Sequence, residues 1–131
     1  MSQSKKKKPS KKSLRKKADK LWAELVKLKA GEKCEVCGKT KKQTRLNSHH
    51  IIGRNYLPLR HDTRNGVCLC AACHKFSPIR SSHSNPLWFI EWLRRNRDKD
   101  LKFLQENYES AVRTDYETII KQLEKETKKY I

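Results

Sequence analysis

Residues 34–74 hold a dense set of side chains able to do chemistry: Cys34-x2-Cys37, then His49-His50, Asn65, and Cys70-x2-Cys73 followed at once by His74. Two paired Cys-x2-Cys knuckles supply the four thiolates of one closed tetrahedral zinc site. That site uses up the thiols and leaves His49, His50, Asn65 and His74 over, residues a purely structural zinc has no use for. His83 follows nine residues after His74; it is expected either to fold back as a third imidazole ligand or to serve as a polar residue before the next helix. The fifth cysteine, Cys68, would share a strand face with Cys70. The x2 spacing is the tighter knuckle, so Cys34, Cys37, Cys70 and Cys73 are assigned to zinc and Cys68 to the core.

Leftover imidazoles point to an enzyme, and phosphodiester hydrolysis is one reaction that makes chemical use of them. Hydrolysis of a phosphodiester needs a deprotonated water on one side of phosphorus and charge relief on the departing oxygen at the other. One imidazole and one divalent cation supply both. A site rich in histidine and without carboxylates broadens the choice of ion, since Mg²⁺ prefers oxygen ligands, so Mn²⁺, Ni²⁺ or Zn²⁺ would serve as well. Asp62 is the nearby acid, but it lies in Arg60-His61-Asp62-Thr63-Arg64, which reads as a salt-bridged loop.

The elements that must position these groups follow from periodicity and caps. Residues 1–12 read as a disordered basic arm. Leu14, Ala18, Leu21, Trp22, Leu25 and Leu28 form a helical stripe over 13–30, with Ser13 placed to cap it and Gly31 to end it. Residues 31–84 hold short apolar runs split by glycine and proline, the pattern of short strands and loops around a metal. Residues 85–131 read as two to three helices. Asn85 with Pro86 opens the first, Asp98 opens a stretch with Leu101, Leu104, Tyr108 and Val112 on one face, and Thr114 with Glu117 forms a capping box before Tyr116, Ile119, Ile120 and Leu123. The fold class is small α+β. With 131 residues, 35% hydrophobic residues and a mean hydropathy of -0.97, apolar burial alone is thin, and zinc is expected to hold the core together.

Charge indicates the partner. The net charge is +18, and residues 1–20 carry ten Lys/Arg against the single acid Asp19. A polyanion is the expected ligand, and DNA fits better than anionic lipid because no Trp- and Phe-rich helix face adjoins the lysines. Lys5, Lys6, Lys7 and Lys8 in the arm, with Arg54, Arg60, Arg64, Lys75 and Arg80 around the site, are the expected phosphate contacts. No apolar run is long enough to span a membrane and no signal peptide is visible, so a reducing, cytoplasmic setting is expected. Lys5–Lys12 also has the composition of a nuclear-import signal.

The string Asn65-Gly-Val-Cys-Leu-Cys70-Ala-Ala-Cys73-His74, preceded by His49-His50-Ile51-Ile52, resembles the zinc-bearing form of the HNH nuclease family over roughly residues 34–80. The resemblance implies a ββα-metal core: two antiparallel strands, a loop between them, then a helix, gripping one divalent ion against the scissile phosphate. By position it implies that His50 is the general base, that His49 and His74 are metal ligands, and that Asn65 braces the loop carrying the base. Small stand-alone members are frequent in phages, so phage or mobile-element DNA processing, alongside phage DNA-processing proteins, is the implied setting. Two alternatives stay open. One is a non-catalytic zinc-ribbon DNA-binding protein, which would have no need of His50; the other is a branched-DNA recombination nuclease of the NinG type.

Overall fold

The computed structural model describes residues 8–131. Lys5, Lys6 and Lys7 of the expected basic arm lie outside the described residues. The elements in chain order are α1 (Lys11–Lys29), β1 (Leu46–His50), β2 (Gly66–Cys70), α2 (Pro86–Asn96), α3 (Asp98–Asn107) and α4 (Tyr116–Thr127), with short 3-10 and π turns between them. No helix of the described residues is long and apolar enough to cross a membrane.

Helix α1 starts two residues earlier than 13–30. Ser10, not Ser13, is its cap: the Ser10 hydroxyl accepts from the Ser13 backbone N–H at 3.1 Å. Lys11 and Lys12 are therefore helical and do not belong to a disordered arm. The C-terminus closes as expected at Gly31, which adopts φ +71°. The Gly31 N–H donates to the Leu28 carbonyl at 3.0 Å and the Glu32 N–H to that of Lys27 at 2.8 Å, a Schellman motif. Buried Ala18, Trp22, Leu25 and Val26 line one face of α1, which packs on both strands and along α4.

The strands form an antiparallel hairpin in which Leu46 faces Cys70, His49 faces Val67 and His50 faces Gly66. Every residue of β2 is buried, because α1 covers one side and the residues of α2 and α3 extend the same core on the other. That core joins Trp22, Leu25 and Val26 to Leu46, Val67, Leu69, Phe89, Leu93, Leu101 and Leu123. A smaller cluster of Ala18, Tyr116 and Ile120 fastens α4 to α1. The segments outlined as 13–30, 31–84 and 85–131 thus share one interior.

Arg97, between α2 and α3, is the polar tie of this assembly. Its guanidinium donates to Glu35 at 2.9 Å, to Asp100 at 2.6 Å and to the Gly66 carbonyl at 3.0 Å. Glu35 in turn accepts from the Cys68 N–H at 2.7 Å. One side chain links the first knuckle, β2 and the C-terminal helices.

Three expectations differ in detail. Helix α4 is capped by Asp115, which accepts from the Thr118 N–H at 2.8 Å, and not by Thr114. Helix α3 stops at Asn107, so Val112 stands outside it and exposed. Its last turn ends where Tyr108 stacks on Tyr56, whose hydroxyl donates to the Tyr108 carbonyl. The helix expected after β2 is a single wide turn, Ala72–Phe76. Pro78 holds Ser77 in extended backbone, φ -71° and ψ 126°, and so forbids a further turn.

Candidate metal and catalytic site

The two knuckles converge as their spacing requires. Gly38, at φ +79°, lets the first chain reversal close: the Gly38 N–H donates to the Cys34 carbonyl at 2.9 Å and the Cys34 N–H to that of Lys39 at 2.8 Å. The second knuckle turns off the end of β2, with the Cys73 N–H pointing at the Cys70 Sγ at 3.4 Å. The Sγ atoms of Cys34, Cys37, Cys70 and Cys73 all lie within 4.8 Å of one another. The Cys37 and Cys70 sulfurs are 3.6 Å apart, close to the edge of about 3.8 Å that a tetrahedron with Zn–S near 2.3 Å requires. The tetrad fits zinc. Burial raises the Cys37 and Cys73 thiols, while at Cys70 burial is outweighed by the N–H and thiol hydrogen bonds of its neighbours, which lower it. Cys68 lies in the core outside the tetrad, its thiol pushed up to about 12 by burial and by Glu35.

Beside the tetrad a second ligand group forms. His49 near the end of β1, His74 in the wide turn and His83 before α2 bring ring nitrogens within 4.8 Å of one another. The chain from 81 to 83 folds back on the second knuckle: the Ser82 N–H donates to the Cys73 carbonyl at 2.9 Å and the His83 N–H to the His74 carbonyl at 3.1 Å. The Nε2 atoms of His74 and His83 end 3.0 Å apart. Phe89 of α2 packs edge-on against His49 and closes the apolar side. Burial, and then the neighbouring imidazoles, push His49 down to about 3; burial, His83 and Lys75 push His74 down to about 4. Both rings are neutral at physiological pH, with lone pairs free for a divalent cation. Three clustered imidazoles fit a borderline transition ion better than Mg²⁺.

His50 follows His49 in the strand and so points to the other face. Its ring stacks on Trp22 of α1, centroids 3.8 Å apart and planes 7° from parallel. Nε2 lies 2.9 Å from the Arg60 carbonyl oxygen. A carbonyl only accepts, so Nε2 carries the proton and Nδ1 keeps its lone pair. Burial lowers His50 and favours the neutral form. Trp22 is itself fixed by its indole N–H, which donates to the Asp62 carbonyl at 2.9 Å.

Asn65 is fully buried at the end of the turn that leads into β2. Its amide oxygen accepts from the Ile52 N–H at 2.6 Å, and its NH₂ donates to the carbonyls of Ile52 and Leu59 at 3.0 and 3.1 Å. It pins both ends of the 51–60 loop, and with it the Arg60 carbonyl that meets His50.

Arg60 departs from the phosphate contact expected of it. Its guanidinium grips Asp19 of α1 through two hydrogen bonds of 2.9 and 2.7 Å and reaches the Arg54 carbonyl at 3.2 Å. Burial opposes ionisation of Asp19, but the hydrogen bonds from Arg60 and from His61 at 2.7 Å hold its carboxyl below the usual range. Arg64 is likewise engaged, paired with Asp62 at 2.7 Å and lying over Phe103. Asp62 caps the turn at 63–65 and stands apart from the three imidazoles. Arg54, Lys75, Arg80 and Lys8 remain exposed.

Sequence reasoning missed Trp22, Asp19 and Gly66. A Cβ on Gly66 would meet Val26 Cγ2 at 2.5 Å and Trp22 Cζ2 at 2.7 Å; glycine opposite His50 is what lets α1 seat close enough for Trp22 to stack. Gly66→Ala is expected to destabilise the fold by about 1–3 kcal/mol, the usual cost of overpacking. A urea midpoint equal to that of the parent would show that α1 does not depend on this contact.

The buried and half-buried histidines also set a pH dependence. His49, His50, His61 and His74 all have their pKa lowered, with burial as the largest cause. Below about pH 6.5 the unfolded chain takes up protons that the folded sites refuse, so stability falls as pH drops from there toward 4. Denaturation midpoints at stepped pH would check this, and a flat profile across that window would contradict it.

A family model described as HNH endonuclease matches residues 34–76, about one third of the chain, spanning the tetrad, the hairpin and the wide turn. Searches of curated proteins and of solved structures gave no match.

Proposed function

We propose, from the HNH endonuclease domain at residues 34–76, that the chain is a metal-dependent nuclease that hydrolyses DNA phosphodiester bonds. The observation that supports this reading most is the juxtaposition of three clustered imidazoles with a fourth, His50, held apart from them in one tautomer.

His50 acts as general base. Its Nδ1 takes the proton of the attacking water, the Arg60 carbonyl stabilises the opposite N–H as positive charge develops, and Trp22 keeps the ring plane fixed. His49, His74 and His83 would hold one divalent ion, which would relieve charge on the departing oxygen. Asn65 orients the base indirectly, through the loop that carries Arg60. The Cys tetrad would hold a structural zinc.

Phosphate contacts fall to the exposed cations Lys8, Arg54, Lys75 and Arg80, together with Lys5–Lys7 and the outer face of α1, where Lys12, Arg15, Lys16 and Lys20 are exposed. Arg60 works instead as a positioning residue. Such contacts place DNA without reading its sequence, which suits processing of phage or mobile-element DNA.

Purified protein incubated with supercoiled plasmid is expected to nick it in Mn²⁺ or Ni²⁺ at least as fast as in Mg²⁺, and not in EDTA. Failure to cut duplex, single-strand and branched DNA in every one of these metals would remove the nuclease reading.

A further inference from the structure

Phe76, Ile79 and Leu87 are 78%, 68% and 81% exposed, and they bracket two of the clustered imidazoles. Phe76 stands two residues after His74, while Ile79 and Leu87 each stand four residues from His83. At 3.8 Å per residue, the Phe76 Cα lies within about 8 Å of that of His74. Large apolar side chains left in water beside a cluster of polar side chains mark an interaction surface.

The segment that carries them is tied down. The Ser77 N–H donates to the Ala72 carbonyl at 2.9 Å and the Arg80 N–H to Ser77 Oγ at 3.0 Å. Ser84 Oγ donates to the Lys75 carbonyl and Asn85 Nδ2 to the Ile79 carbonyl, both at 3.0 Å. Ser81 is fully buried beneath, its Oγ accepting from the Ser84 N–H at 3.0 Å. Backbone held this firmly under projecting apolar groups is a preformed contact.

Charge selects the occupant. Lys75 precedes Phe76 and Arg80 follows Ile79, both exposed, and the acid of the adjoining helix face, Glu91, is paired with Arg94 at 2.5 Å. Cations interleaved with apolar side chains fit a polynucleotide whose bases are uncovered, phosphates to the cations and base faces to the apolar groups. In an intact duplex those faces are stacked on one another and hidden. The three residues find partners only where bases are unpaired or a step is pried open.

We infer that Phe76, Ile79 and Leu87 form a nucleobase-contacting tongue, and that the preferred substrate is DNA with unpaired bases beside the cut: bubbles, branch points or single strands. The placement beside the scissile phosphate rests on the nuclease reading, but the contact itself is testable without cleavage.

The test measures affinity of the His50→Ala protein, with Mn²⁺, for a short duplex and for the same duplex carrying a central unpaired bubble. The bubble is expected to bind about tenfold tighter, the scale of one base–aromatic stack. Phe76→Ser with Ile79→Ser should collapse that ratio toward one, with circular dichroism reporting an intact fold. Equal binding of duplex and bubble by the His50→Ala protein overturns the inference. So does a preference that survives the double substitution, or a preference that is absent while the same substitution breaks up a dimer in sedimentation, which would make the face a contact between copies of the chain. A parent protein that cuts no plasmid, while the His50→Ala protein keeps the bubble preference, would instead count against the nuclease reading alone.

Discussion

Replacing His50 with alanine is expected to slow plasmid nicking by about 10²- to 10⁴-fold, the range contributed by a positioned general base, while DNA affinity stays within a few fold. The expectation follows from the ring's surroundings. Nε2 is committed to the Arg60 carbonyl and the ring face to Trp22, which leaves Nδ1 as the free basic atom. Glutamine at position 50 refills most of the volume and can still donate to Arg60, yet its amide has no comparable basicity. His50→Gln should therefore be as inactive as His50→Ala while melting closer to the parent. Alanine leaves a slot against the Trp22 indole, and added imidazole should restore part of the rate to His50→Ala but none to His50→Gln. Equal nicking by the parent and His50→Ala would sink the assignment, and a complete absence of imidazole rescue in His50→Ala would move the base elsewhere.

Much of the site was legible because its spacing is local. A Cys-x2-Cys knuckle closes within one turn, adjacent histidines in a strand face opposite ways, and an asparagine ahead of a short strand sits where two loops meet. The shell around His50 was not legible. Trp22 and Asp19 lie on α1, 28 and 41 residues before the groups they hold, His50 and Arg60, and in sequence Trp22 reads as one more member of an apolar stripe. Gly66 reads as a turn residue, whereas its reason is the van der Waals approach of α1. The errors at helix ends have a common cause as well. Ser10 and Ser13, like Thr114 and Asp115, are all competent caps, and only the path of the chain decides which oxygen meets the free N–H groups. Arg60 looked like a phosphate contact because sequence shows a charge without its partner.

Cys37→Ser, or prolonged chelation of the parent, is expected to abolish cooperative folding. The apolar interior is shared among short elements, and Cys34, Cys70 and Cys73 are themselves part of it. Structural zinc contributes on the order of 10 kcal/mol in small zinc domains, comparable with a domain's whole stability of about 5–15 kcal/mol. Removing one thiolate opens the closed site, and the three that remain are left buried around a weakened centre. Cys68→Ala is the control. It removes a buried thiol from the same strand but outside the tetrad, so about 1–2 kcal/mol of packing is expected to be lost with one zinc per chain retained in metal analysis. The consequence also extends to catalysis, since the segment bearing His83 is fastened to the carbonyls of Cys73 and His74. Loss of zinc from the tetrad should therefore weaken divalent-ion binding at the His49, His74 and His83 cluster too. A Cys37→Ser protein that melts with the parent and still binds Mn²⁺ would show that the two sites are independent and that the tetrad is not what holds the hairpin.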